Sequence, residues 1–71
     1  MNLIPISLST NVLAAGYDVP SSTLYVPFKG RRTYEYYNVP QALFHELTNG
    51  VAHPWTRTGK RIKQYGCKQI T

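Results

Sequence analysis

One stretch of this chain, residues 24 to 40, constrains the fold more than any other. It reads LYVPFKGRRTYEYYNVP: two alternating segments separated by a basic turn that contains glycine. Successive side chains on a β-strand point to opposite faces, so the apolar and aromatic residues of each segment share one face. The residues of this inner face are Leu24, Val26, Phe28, Tyr34 and Tyr36. The stretch therefore predicts a β-hairpin with an apolar and aromatic inner face.

A helix is predicted directly after the hairpin. Pro40 suits the first helical position, where its missing N–H costs nothing. Leu43, Phe44 and Leu47 then form a compact apolar stripe, and the pair Asn49-Gly50 provides a left-handed stop. A helix of about ten residues does not persist alone in water, so we expect it to dock on the sheet.

Pro27 lies inside the first strand of the hairpin. Proline cannot donate a hydrogen bond to a neighbouring strand. We therefore expect its nitrogen to face outward, or the pairing of the strands to be interrupted at this position.

These patterns predict an α+β domain, a small antiparallel meander of three to four strands with one helix packed on one face. Residues 12–17 are a further strand candidate, and the apolar leader of residues 1–10 a possible edge strand. From residue 56 the apolar anchors are few, namely Ile62, Tyr65 and Ile70. We expect residues 1–55 to form a single domain and residues 56–71 a basic, flexible and partly disordered C-terminal tail.

The length and the cysteine content favour a small intracellular binding protein. A chain of 71 residues has little room for a deep pocket, so a surface function is favoured. The single cysteine, Cys67, cannot form an internal disulfide, which suits a reducing compartment. The apolar run of residues 3–8 is interrupted by Pro5 and is too short for a signal peptide or a membrane span. We expect a cytoplasmic monomer that does not associate with membranes.

The charge is distributed unevenly. The net charge is +5, and no acidic residue follows Glu46, whereas five lysines and arginines do. Such asymmetry suggests an anionic partner, either nucleic acid or an acidic protein surface. The alternative is a solvated basic segment that only keeps the protein soluble.

No catalytic or metal site is recognisable. The only soft ligands are His45, His53 and Cys67, and their spacing matches no zinc pattern. The three carboxylates, Asp18, Glu35 and Glu46, lie on different predicted elements and do not form an acid–base pair. We expect no enzymatic activity, no metal, no cofactor and no small-molecule substrate.

Several motifs agree, in order and spacing, with one known family. They are Ala15-Gly16-Tyr17-Asp18, Leu24-x-Val26-x-Phe28, Lys29-Gly30, Tyr34-x-Tyr36-x-x-Val39-Pro40, and the helix residues Phe44 and Leu47. Over roughly residues 9 to 48 the chain resembles the KTSC domain, a short module named for its occurrence at the C-terminus of some lysyl-tRNA synthetases. Beyond the helix, Trp55 and residues 62–65 only approximate the family pattern. The resemblance implies no catalytic residues, and RNA binding is the function usually suggested for the module.

Three hypotheses of function follow. The first is a transcription regulator that binds RNA polymerase, because the chain also resembles, in size and type, the small phage proteins that inhibit or redirect this enzyme in the host cytoplasm. The second is an RNA-binding module that uses Tyr25 and Tyr37, on the face opposite the helix, together with the cations. The third is a passive accessory module. The candidate partner-binding residues are Leu3, Ile4, Ile6, Tyr25, Lys29, Arg31, Arg32, Tyr37, Arg57, Lys60, Arg61 and Lys63.

Overall fold

The computed structural model, which describes residues 3–6, 9, 11–50 and 54–71, contains a five-stranded antiparallel sheet and two helices. The elements in chain order are β1 (Ile4–Pro5), β2 (Ala14–Asp18), β3 (Thr23–Phe28), β4 (Arg32–Tyr36), α1 (Gln41–Thr48), α2 (Pro54–Ile62) and β5 (Cys67–Gln69). The strands lie side by side in the order of their numbers, and each pairs antiparallel with the next. The predicted α+β meander is confirmed, with five strands in place of the three or four expected.

The predicted hairpin is strands β3 and β4. Leu24 lies opposite Tyr36, and Val26 lies opposite Tyr34, as the alternation predicts. Leu24 and Val26 are fully buried and Tyr36 is 5% exposed, so the inner face forms part of the core. In the connecting turn Gly30 has φ +93°, a left-handed conformation that glycine adopts without steric cost.

The pairing of β2 with β3 is interrupted beside Pro27, as predicted. Gly16 pairs with Tyr25, but the bridge nearer the hairpin turn joins Val12 to Phe28, so the segment from Val12 to Gly16 holds one residue more than the segment of β3 opposite it. The Pro27 carbonyl accepts a hydrogen bond from the Leu13 N–H at 2.9 Å. The Pro27 nitrogen points to the same side of β3 as its carbonyl, towards this bulge. The regular hydrogen bonding between β2 and β3 is interrupted there, so no N–H donor is required.

Helix α1 follows the predicted pattern with a small shift of its start. Pro40 is extended and is the N-terminal capping residue, so the helix proper begins at Gln41. Gly50 has φ +86° just beyond the helix, which confirms the predicted left-handed stop. Leu43 and Leu47 are buried against the sheet, as expected from the apolar stripe.

The C-terminal segment is ordered, which corrects the prediction of a flexible tail. Residues 54–62 form α2, and residues 67–69 form β5 at the edge of the sheet next to β4. The sequence pattern did not reveal this helix because two of its four buried positions hold small residues, threonine and glycine, and not large apolar ones. The residues of α2 that are buried at positions i, i+3, i+4 and i+7 are Trp55, Thr58, Gly59 and Ile62. This stripe docks α2, and the predicted boundary after residue 55 falls inside the helix.

The lengths of the helices and the positions of possible metal ligands bear on membrane insertion and metal binding. In the part of the chain that the structure describes, neither helix is long and apolar enough to cross a membrane. Nor does any group of three histidine, cysteine or acidic residues gather there in a way that could hold a metal ion; His53 lies outside the described residues.

Candidate binding surfaces

The two tyrosines predicted to contact a partner lie on the outer face of the sheet, opposite the helices. Glu35 lies between them: it pairs across the strands with Tyr25, and its Oε1 accepts a hydrogen bond from the Tyr37 hydroxyl at 3.2 Å. A hydrogen bond with Glu35 raises the pKa of Tyr25. The pKa of Tyr37 is raised mainly by desolvation, with a smaller contribution from its hydrogen bond with Glu35. This outer surface thus presents a carboxylate at its centre.

The predicted apolar contacts divide between the surface and the core. Leu3 and Ile4 are 50% and 40% exposed at the free edge of β1, as a docking surface requires. Ile6 is 7% exposed and belongs to the hydrophobic core, so its predicted role as a partner contact is wrong. Leu13, which the sequence pattern did not single out, is 51% exposed beside this edge because it lies in the bulged segment that leads into β2. Bulges re-aim side chains, and alternation alone does not reveal them.

The predicted cations occupy three separate places. Lys29 and Arg31 are exposed in the hairpin turn. Lys60 and Arg61 are exposed on α2, where the Arg61 guanidinium forms an ion pair with Glu46 at 2.9 Å. The side chain of Arg57 lies outside the described part of the structure. The remaining pair, Arg32 and Lys63, meets at a cleft.

That cleft lies on the inner side of the hairpin, where β3 and β4 approach the end of α2. It is open to solvent and has a volume of about 350 Å³. Its lining residues are Phe28, Arg32, Tyr34, Tyr36 and Lys63. The sequence pattern predicts the three rings on the inner face of the hairpin and the two cations on unrelated segments. Only the return of α2 to the sheet brings them together.

The rings of the cleft continue into the core. Phe28 meets Tyr34 edge-on with centroids 5.7 Å apart, and it meets Trp55 edge-on at 5.0 Å. The ammonium group of Lys63 lies 5.9 Å from the centroid of the Trp55 ring, within the range of a cation–π contact. The floor of the cleft is therefore held in place by packing.

Burial gives Tyr36 a pH-dependent effect on stability. Burial, with smaller contributions from Cys67 and Tyr34, raises the pKa of Tyr36 from 10.0 to about 12. Below pH 10 the hydroxyl is neutral in both the folded and the unfolded chain. Between pH 10 and about 12 the unfolded chain loses this proton first, so we expect the free energy of unfolding to fall with rising pH. Urea unfolding across this range should show the fall, and Tyr36→Phe should make it shallower; an unchanged slope would contradict the assignment.

Comparisons with known proteins identify relatives of this chain. Residues 8–52 match the family model of the KTSC domain. Among solved structures, the chain is similar to a KTSC domain protein from Yersinia pestis, with 25% sequence identity and a TM-score of 0.82. That match covers 99% of this chain and 97% of the other, so it includes α2 and β5, which the family model does not span. No curated protein matches the chain.

Proposed function

The chain belongs to the KTSC domain family, and we propose that it is a non-catalytic binding protein that regulates transcription by docking on bacterial RNA polymerase. One observation carries the docking mode: the exposed apolar side chains of Leu3, Ile4 and Leu13 at one edge of the sheet. Exposed apolar groups that adjoin a polar rim are typical of protein–protein contact sites. We call these three residues the edge surface.

The hairpin turn adds positive charge next to the edge surface. The Lys29 N–H donates to the Asn11 carbonyl and the Leu13 N–H donates to the Pro27 carbonyl, both at 2.9 Å. These bonds hold the turn cations beside Leu13. Exposed apolar side chains with cations beside them suit an acidic protein surface, because the charges steer the encounter and the apolar contacts hold the complex. The choice of polymerase as partner rests on the size, charge and type of the chain.

RNA binding through Tyr25 and Tyr37, the second hypothesis, has less support at that surface. Both tyrosines flank Glu35, and the Tyr37 hydroxyl hydrogen-bonds to its carboxylate. A carboxylate at the centre of the surface repels phosphates, which dominate the affinity of proteins for nucleic acids. The cleft on the opposite side of the sheet has rings and cations among its lining residues, but no carboxylate.

The polymerase proposal can be tested with Leu13→Ser. Truncation of one of the three exposed apolar contacts should weaken binding to purified bacterial RNA polymerase about tenfold. Val19→Ser is the matched control, because Val19 is 60% exposed in the turn between β2 and β3, away from the edge surface. Binding should be measured with nuclease-treated components, and promoter-dependent transcription should be followed in parallel. Failure of the wild-type protein to bind the enzyme, or equal effects of both substitutions, would exclude the proposal.

A further inference from the structure

The cleft between the hairpin and α2 combines an aromatic wall with two cations. Phe28 and Tyr34 are half-buried and line the cleft, and their rings meet edge-on at 89°. Tyr34 and Tyr36 are 6.3 Å apart between centroids and only 30° from parallel, which continues the wall along β4. Such rings provide stacking surfaces for a planar ligand.

The two cations lie at the rim of this wall. Arg32 begins β4 on the same face as Tyr34, and Lys63 follows α2 on the other side of the cleft. A guanidinium and an ammonium group that flank one opening are suited to an anion, above all to a phosphate.

The acidic residues of the chain lie elsewhere. Asp18 accepts a hydrogen bond from Ser21 at 2.5 Å, and Glu46 is paired with Arg61. Glu35 lies on the outer face of the sheet. None of the three lines the cleft, so the charges of Arg32 and Lys63 are not compensated by an aspartate or glutamate there.

The ligand must match both features at once. A simple anion would use the cations and leave the rings uncovered, and the same holds for an acidic peptide side chain. A nucleobase is planar and carries its phosphate one sugar away, and a cleft of about 350 Å³ is within the size range of small-ligand sites. We propose that this cleft binds a nucleoside phosphate, with the base stacked on the Tyr34 ring and its edge against Phe28, and with the phosphate between Arg32 and Lys63. This site shares no residue with the edge surface and does not depend on the polymerase proposal.

The test uses adenosine 5′-monophosphate, adenosine and inorganic phosphate as separate probes, followed by calorimetry and by the NMR signals of the cleft rings. The monophosphate should bind and shift the Tyr34 and Phe28 signals, and Arg32→Gln or Lys63→Gln should weaken it about tenfold. Lys60→Gln is the matched control, because it removes the same charge from an exposed site on α2 that does not line the cleft. Tyr34→Leu should weaken the monophosphate but leave phosphate alone unaffected.

The outcomes separate the possibilities. Equal effects of Arg32→Gln and Lys60→Gln would reveal diffuse attraction and overturn the proposal. It would also be overturned if inorganic phosphate bound as tightly as adenosine monophosphate, or if none of the probes bound. Arg32 is exposed, so Arg32→Gln remains informative if Tyr34→Leu does not fold. A short single-stranded oligoadenylate then distinguishes the source of the ligand. Binding more than tenfold tighter than the mononucleotide assigns the cleft to RNA, and equal affinity assigns it to free nucleotides.

Discussion

Ile62→Ala is expected to remove most of the stability of this domain. Ile62 is fully buried at the end of α2, and truncation of such a residue costs about 2–5 kcal/mol. A domain of this size has roughly 3–5 kcal/mol in total. The variant should therefore be largely unfolded at 37 °C, as judged by circular dichroism and urea titration.

Ile70→Ala provides the matched control. The same side chain is removed, but Ile70 is 41% exposed beyond β5, so the loss should stay within about 0.5 kcal/mol of the wild type. A similarly small effect of Ile62→Ala would mean that α2 is not part of the cooperative fold. In that case residues 56–71 would behave as the tail that the sequence pattern predicted.

The second large effect is expected at Gly59. Alanine normally stabilises a helix interior relative to glycine by about 1 kcal/mol. Here a Cβ atom would lie 2.8 Å from Cε2 and 2.9 Å from Cδ2 of Trp55, closer than carbon atoms pack. The indole is 7% exposed and is wedged against Phe28, so it cannot move without disturbing the core. We expect Gly59→Ala to lower the free energy of unfolding by about 1–3 kcal/mol, as overpacking does.

Two controls isolate this contact. Gly66→Ala places a Cβ 3.9 Å from Tyr37, an ordinary contact, and should change stability little. In a Trp55→Leu background the clash is absent, so Gly59→Ala should become neutral or stabilising, a coupling that a double-mutant cycle measures. If Gly59→Ala stabilises the wild-type chain, the close packing of Gly59 on the indole is refuted.

The hairpin and α1 could be predicted because their information is local. Alternation from Leu24 to Tyr36 and the turn at Gly30 determine the register without reference to the rest of the chain. The stripe of Leu43 and Leu47 likewise identifies the buried side of α1. Each of these patterns lies within one element, or within two elements that adjoin in sequence.

The second helix and the cleft could not be predicted, because they depend on partners distant in sequence. Thr58 and Gly59 resemble loop residues, and only the Trp55 ring that covers Gly59 explains their burial in a helix. Arg32 and Lys63 are about thirty positions apart, and nothing in either segment indicates that they share a cleft. The same holds for Leu13, whose exposure depends on a bulge opposite Pro27.

The order in which the strands are synthesised has a consequence for translation. Strand β5 covers the edge of β4, but about thirty residues separate Tyr36 from its partner Cys67, whereas β3 and β4 adjoin in sequence. Long-range pairings form more slowly than local ones. A polypeptide released before Cys67 would leave β4 with unpaired N–H and C=O groups, which can pair with another chain and so promote aggregation. Prematurely terminated copies should therefore accumulate as insoluble material or be degraded.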